Sequence, residues 1–193
     1  MILEFKIKNF LSFKDEVTFS FEATKDKNLE EYYVTEIVPG VRLLKLGIVY
    51  GANASGKSNL ISAFEFIRNF CFSIPESKTD KIPVDYFLFD AVAPPEPSEF
   101  KLTFYAGTTK FVYTLKTSTQ SVLNERLEYY PGVQPATVFD RKFVESVSQI
   151  SFGAKIKISS KAKEELAIKC LSNTSVFAAY QQLNLNVPEI ELA

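Results

Sequence analysis

The sequence predicts an α/β fold with α+β character: a mixed sheet with an antiparallel meander beside a strand–loop–helix unit. Three observations predict it. An apolar run, Arg42 to Tyr50, closes on Leu46-Gly47-Ile48-Val49-Tyr50 and passes straight into a glycine-rich loop, Gly51 to Ser58. After the loop, apolar residues recur at helical spacing. Between residues 100 and 130, three runs alternate apolar and polar residues at the strand period.

The elements follow in chain order. In Ile2–Lys8, Leu3, Phe5 and Ile7 face one way and Glu4, Lys6 and Lys8 the other, which reads as a strand with one buried face. Asn9 to Phe13 breaks that pattern. Glu16 to Phe21 resumes it, with Val17, Phe19 and Phe21 on one side, so the two runs suggest an antiparallel pair. The polar stretch Lys25 to Glu31 reads as a loop. Arg42 to Tyr50 is short and apolar on both faces, as a central buried strand requires. From Gly56 to Phe72, Leu60, Ile61, Ala63, Phe64, Ile67, Phe70 and Cys71 mark a helix with a buried face. Pro94, Pro95 and Pro97 enforce a loop. The meander comprises Phe100-Leu102-Phe104, Phe111-Tyr113-Leu115 and Leu123-Glu125-Leu127-Tyr129, with Gly107 in its first gap. Phe100, Leu102 and Phe104 are expected on its inner face. Thr137 to Lys142 adds a strand, and Gln149 to Ile158 is extended. Ser160 is a candidate cap for a helix over 161–171, and Asn173 for a last helix through Leu183.

Composition narrows the function. Hydrophobic residues make up 46% of the 193 positions, enough for a sizeable core, and 18 phenylalanines make that core aromatic. Net charge is −1, so no global field draws the chain to nucleic acid or anionic membrane. Histidine is absent, which removes Ser-His-Asp and Cys-His catalysis and histidine-ligated metals. Cys71 and Cys170 lie far apart, so a disulfide framework or zinc site is not expected and a reducing cytoplasm is. Cys71, in an apolar helical stretch, reads as a small buried hydrophobe. No signal peptide or spanning segment is visible.

The loop carries the chemistry. Gly51-Ala52-Asn53-Ala54-Ser55-Gly56-Lys57-Ser58 satisfies G-x-x-x-x-G-K-[ST] in full. Glycines let the backbone wrap a phosphate, successive N–H groups form an anion nest, and the following helix adds its positive end. Lys57 is expected to reach the β- and γ-phosphates, and the Ser58 hydroxyl to ligate Mg²⁺. With Gly at about 7% of residues, the pattern arises by chance in such a chain at roughly the one percent level. An apolar run before it and an apolar-faced helix after it lower that further.

Tyr50 to Asn59 resembles the phosphate loop of RecF/SMC-type ABC ATPases, which often read G-x-N-x-S-G-K-S-N. Ile7-Lys8-Asn9-Phe10-Leu11-Ser12-Phe13 resembles their opening "I-x-N-F-x-S-F". More closely, the chain resembles the N-terminal part of bacterial AAA-family proteins of the RecF/OLD-like branch, many tied to phage defence or paired with nucleases. Glu125-Arg126-Leu127 and the stretch from Asn173 to Asn184 also fit that group. The resemblance implies a P-loop NTPase fold, an ABC-ATPase-like first lobe. It divides residues 1–193 into a P-loop core (about 1–75), a β-rich lobe (about 80–158) and a helical segment (about 160–185).

It further implies ATP and Mg²⁺ as cofactors, held by Gly51, Asn53, Ala54, Ser55, Gly56, Lys57, Ser58 and Asn59. Asn9, Ser12 and Phe13 become candidates for the base and ribose. Gln181 or Gln182 becomes the candidate that senses Mg²⁺ and the γ-phosphate beside Ser58. A homodimer through the ATPase head and a DNA or nuclease partner are implied, and no membrane. Alternatives from other classes stay open: a small-molecule kinase or GTPase, or an interaction module with a vestigial loop. No Asn-Lys-x-Asp base-reading motif and no arginine-rich lid are present.

Hydrolysis needs a carboxylate beside the metal and one to polarise water. In the resembled family an apolar strand ending Asp-Glu supplies both, and none follows Ser58. Phe87-Leu88-Phe89-Asp90 ends in one acid, but Ala91 follows it. The expectation is therefore the N-terminal portion of a longer ATPase, lacking its C-terminal motifs, that binds nucleotide and turns it over little by itself.

Overall fold

The computed structural model describes residues 1–89, 96–145 and 147–193. In chain order the elements are β1 (Ile2–Lys8), β2 (Val17–Ser20), α1 (Glu30–Tyr33), β3 (Val34–Val38), β4 (Val41–Leu44) and α2 (Lys57–Phe72). Then follow β5 (Ser98–Ala106), β6 (Thr109–Thr117), β7 (Val122–Tyr130), β8 (Ala136–Val144) and β9 (Val147–Phe152). Three helices close the chain: α3 (Ser160–Lys169), α4 (Val176–Tyr180) and α5 (Pro188–Leu192).

Seven strands form one sheet in the order β2-β1-β5-β6-β7-β8-β9, and β3 and β4 form a separate hairpin. Strand β1 lies between β2 and β5, with Phe5 opposite Phe19 on one side and Leu102 on the other. The meander is therefore continuous with the N-terminal pair, and the sheet crosses the expected boundary near residues 75–80. The β5–β6 turn pairs Ala106 with Thr109, so two residues reverse the chain. Gly107 takes φ +57° there, as a tight hairpin demands.

One face of the sheet and helix α2 enclose the core. Phe5, Phe100, Phe111 and Phe139 come from the strands; Leu60, Ala63, Phe66 and Phe70 come from α2. The expected aromatic core is present: Phe100 lies with its ring centroid 4.9 Å from Phe66 and 5.3 Å from Phe10. Such ring pairs contribute about 0.5–1.5 kcal/mol beyond the area they bury. Leu102 and Phe104 pack against the same cluster. Cys71 is buried, and burial pushes its thiol well above the ordinary range; Cys170 is pushed up to about 12. Both behave as small hydrophobes.

Several expectations are corrected. The sheet is not mixed: every described pairing is antiparallel. The expected central strand over 42–50 stops at Leu44, where β4 finishes pairing with β3. Among the described residues no strand lies alongside 46–50. Without ladder partners the run stays out of the sheet, and Ile48 (75% exposed) and Tyr50 (90%) are open to solvent. Ile61 is also exposed, and Phe66 takes the inward place. The polar stretch 25–31 runs into α1 at Glu30. Strand β7 bulges at its start, so Val122 is buried and Leu123 exposed. The extended stretch 149–158 ends as strand at Phe152. Ser159, not Ser160, caps α3, its side chain accepting from Ala162 N–H. Ser175, not Asn173, caps α4, which ends at Tyr180 rather than Leu183. Asn173 instead donates its amide to the carbonyls of Ser77 and Asp80.

A buried ion pair fastens the C-terminal helices to the sheet. Glu125 on β7 faces Arg141 on β8, both 0% exposed, with a 3.1 Å contact. Tyr113 donates to Glu125, whose two oxygens also accept from Val176 N–H at 3.0 Å, at the start of α4. Arg141 donates to the carbonyls of Leu171 and Thr174 and to Ser148 Oγ. Burial holds the Glu125 carboxyl above its ordinary range, with Arg141 opposing the shift.

Candidate functional site

The site begins where β1 ends. Asn9 (φ +50°) and Leu11 (φ +49°) both take the left-handed conformation. Phe10 and Phe13 exchange two backbone hydrogen bonds, 2.9 and 2.8 Å, around a two-residue turn, Leu11-Ser12. The Leu11 N–H donates to the Asp85 carbonyl at 2.8 Å. This small hairpin puts its tip on the glycine-rich loop. Ser12 Oγ accepts from Asn59 Nδ2 at 2.7 Å, and a Cβ on Gly56 would lie 3.0 Å from that oxygen and 3.8 Å from the Phe13 ring. Ser12, Phe13, Gly56 and Asn59 are thus brought together from positions more than forty residues apart.

The loop turns sharply into the helix. Ala54 has φ +62° and Gly56 φ +88°. Gly51 lies close under Ser55, whose Oγ would sit 3.1 Å from a Cβ placed there. Lys57 Nζ folds back over the loop and donates to the carbonyls of Gly51 (2.9 Å) and Ala52 (2.6 Å). Asn53, Ala54, Ser55 and Ser58 are exposed.

Helix α2 differs from the two that follow it. Ser159 and Ser175 cap α3 and α4, but Gly56 has no side chain to offer; as in those two helices, no acidic residue stands in the first turn of α2. Sixteen aligned residues therefore end in backbone N–H groups without a side-chain acceptor. Such an end suits an anion, and the residues fit a nucleotide phosphate. Lys57 would hold its outer oxygens, and Ser58, exposed at the second helical position, would offer its hydroxyl to Mg²⁺.

A Gly56→Ala substitution tests the turn. The left-handed backbone costs a non-glycine residue about 1–2 kcal/mol, and the added carbon presses on Ser12 Oγ. We expect thermal unfolding to show a loss of that order. An unchanged melting temperature would contradict the described turn.

The remaining candidates stand apart from the loop. Asn9 is buried: Nδ2 donates to the Glu96 carbonyl, and Oδ1 accepts from Phe87 N–H at 3.0 Å. Gln181 and Gln182 are exposed, and Gln182 donates to the Ala178 carbonyl at 3.4 Å. The helix before them is anchored on the far end of α2, where Ser175 Oγ donates to the Cys71 carbonyl and Phe177 packs on Phe72. Cys71 lies a helical rise of about 20 Å beyond Ser58. Among the described residues no hydrogen bond joins either glutamine to the loop. Asp90 lies outside the described residues.

Sequence reasoning missed the fastening of this hairpin, above all Ser98, whose hydroxyl donates to the Asn9 carbonyl at 2.6 Å. Nothing in the composition around Ser98 announces it. The buried pair did have a signal: Glu125 stands on the alternating apolar face of β7.

A protein-family model described as "AAA domain, putative AbiEii toxin, Type IV TA system" matches residues 48–154, more than half of the chain. The match starts two residues before Tyr50 and takes in the loop, α2 and the whole meander. No curated protein matches the chain.

Proposed function

The chain belongs to this AAA domain family, and we propose that it forms the Walker A half of a RecF/SMC-like, ABC-type ATPase that binds Mg²⁺-ATP at Gly51–Ser58. Family membership makes it a P-loop ATP-binding domain. The observation that carries the finer reading is the uncapped start of α2, with the Ser12–Phe13 tip resting on Gly56. Lys57 leaves the Gly51 and Ala52 carbonyls for the β- and γ-phosphates, exchanging neutral acceptors for charged ones. Backbone N–H groups at the start of α2 would take the phosphate oxygens, and the Ser58 hydroxyl would hold the metal. Mg²⁺, when bound, would supply charge neutralisation at the phosphates. Phe13 and Ser12 lie on the nucleoside side; a metal-sensing role for Gln181 or Gln182 would require α4 to leave its anchor at the far end of α2.

Head closure is a homodimerisation driven by ATP, coupled to DNA or to a nuclease partner in DNA repair or phage defence. Hydrolysis requires a metal-side carboxylate and a base for water, and the sequence after Ser58 offers no strand ending Asp-Glu. Residues 1–193 alone are therefore expected to bind nucleotide and turn it over little. The test is calorimetry with Mg²⁺-ATP and Mg²⁺-GTP, followed by phosphate release with Lys57→Ala as the blank. Preference for ATP with slow release supports the reading. Preference for GTP, or turnover near one per second that the variant abolishes, contradicts it.

None of the helices described is long and apolar enough to cross a membrane.

A further inference from the structure

The hairpin that touches the loop is held from behind, by groups that do not face the loop. Asn9 is 8% exposed and every polar group it has is engaged. Its amide donates to the Glu96 carbonyl and accepts from Phe87 N–H, its backbone N–H donates to the Lys14 carbonyl, and its own carbonyl accepts from Ser98 Oγ. Ser98, at the first position of β5, is 1% exposed. These bonds tie the hairpin to the sheet and to the segment before it. Leu11 N–H adds a bond to Asp85.

The ties have a conformational purpose. Asn9 and Leu11 are both left-handed, and a bulky residue such as Leu adopts that conformation only where its surroundings impose it. Asn tolerates it better than most residues, because its short amide finds local partners. The result is a tip that stands in one place, with Ser12 Oγ on Asn59 and Phe13 beside Gly56.

We infer that Asn9 and Ser98 are positioning residues for the nucleoside part of the ligand, setting Ser12 and Phe13 against the loop without touching the nucleotide themselves. The inference rests on the reading that ATP binds at Gly51–Ser58. It divides the labour within that site: the loop and Lys57 hold the phosphates, while the two straps fix the surface that meets ribose and base. Preorganisation of this kind raises affinity by removing the cost of ordering the tip on binding.

The test compares Mg²⁺-ATP with Mg²⁺-tripolyphosphate by calorimetry. Asn9→Gly keeps the left-handed backbone accessible and deletes the amide; Ser98→Ala deletes the second strap. Each is expected to weaken ATP about tenfold, the scale of one lost hydrogen bond, and to leave tripolyphosphate unchanged. In a Ser12→Ala/Phe13→Ala background, Asn9→Gly is expected to cost nothing further, since the tip through which it acts is gone.

Equal weakening of both ligands would reduce the straps to general scaffolding and overturn the inference, as would unchanged ATP affinity in both variants. If Asn9→Gly fails to fold, Ser98→Ala decides the matter alone. Wild type binding tripolyphosphate as tightly as ATP overturns this inference but not the phosphate site. Wild type binding neither overturns both.

Discussion

Lys57→Ala is expected to abolish measurable ATP binding. In the free protein the ammonium rests on two neutral carbonyls, Gly51 and Ala52, and the helix behind it presents uncapped N–H groups. A triphosphate offers the same ammonium charged acceptors. Hydrogen bonds to charged groups contribute about 1.5–3 kcal/mol each, so losing two weakens binding by about two to four powers of ten. An affinity of about a micromolar would then fall to about 0.1–10 mM, at or beyond the calorimetric limit. The fold should survive, because the side chain of Lys57 spans only its own loop. Equal affinity in wild type and variant, with equal melting temperatures, would refute the role.

Arg141→Ala should remove a large share of the protein's stability. The guanidinium is fully buried and bonds Glu125, Ser148 and the carbonyls of Leu171 and Thr174. Its removal leaves Glu125 without its countercharge and the Thr174 carbonyl without its donor, while the Leu171 carbonyl keeps only the Thr174 N–H. Breaking a buried pair from one side costs about 3–5 kcal/mol, against a total domain stability of about 5–15 kcal/mol. Urea denaturation measures it. The double variant Glu125→Gln/Arg141→Met is expected to recover part of the loss, since no isolated charge remains. A single variant as stable as wild type would show that the pair holds nothing in place.

What could be read from the sequence was whatever repeats locally. The alternation of Phe5 and Ile7, and of Phe100 and Leu102, marked strands because a half-buried sheet has a period of two. Leu60, Ala63, Ile67 and Phe70 marked α2 for the same kind of reason. The phosphate loop was legible because its chemistry demands glycines and a lysine at fixed spacing. Three things were not legible. The run from Leu46 to Tyr50 has a buried strand's composition, but strandhood depends on neighbours, and none of those described pairs with it. Helix starts at Ser159 and Ser175 were missed because several serines and asparagines compete locally, and only the fold selects among them. The Asn9–Ser98 tie joins residues 89 positions apart, and no periodicity encodes such a contact.

Gly51–Ser58 is where the triphosphate is expected to bind, and everything proposed for the neighbouring residues depends on it. A crystal structure with Mg²⁺ and a non-hydrolysable ATP analogue tests this most directly. We expect the β- and γ-phosphates among the N–H groups at the start of α2, with Lys57 Nζ moved from the Gly51 and Ala52 carbonyls onto phosphate oxygens and Ser58 Oγ on the metal. A complex in which the nucleotide lies elsewhere, with Lys57 still bonded to those two carbonyls, would contradict it.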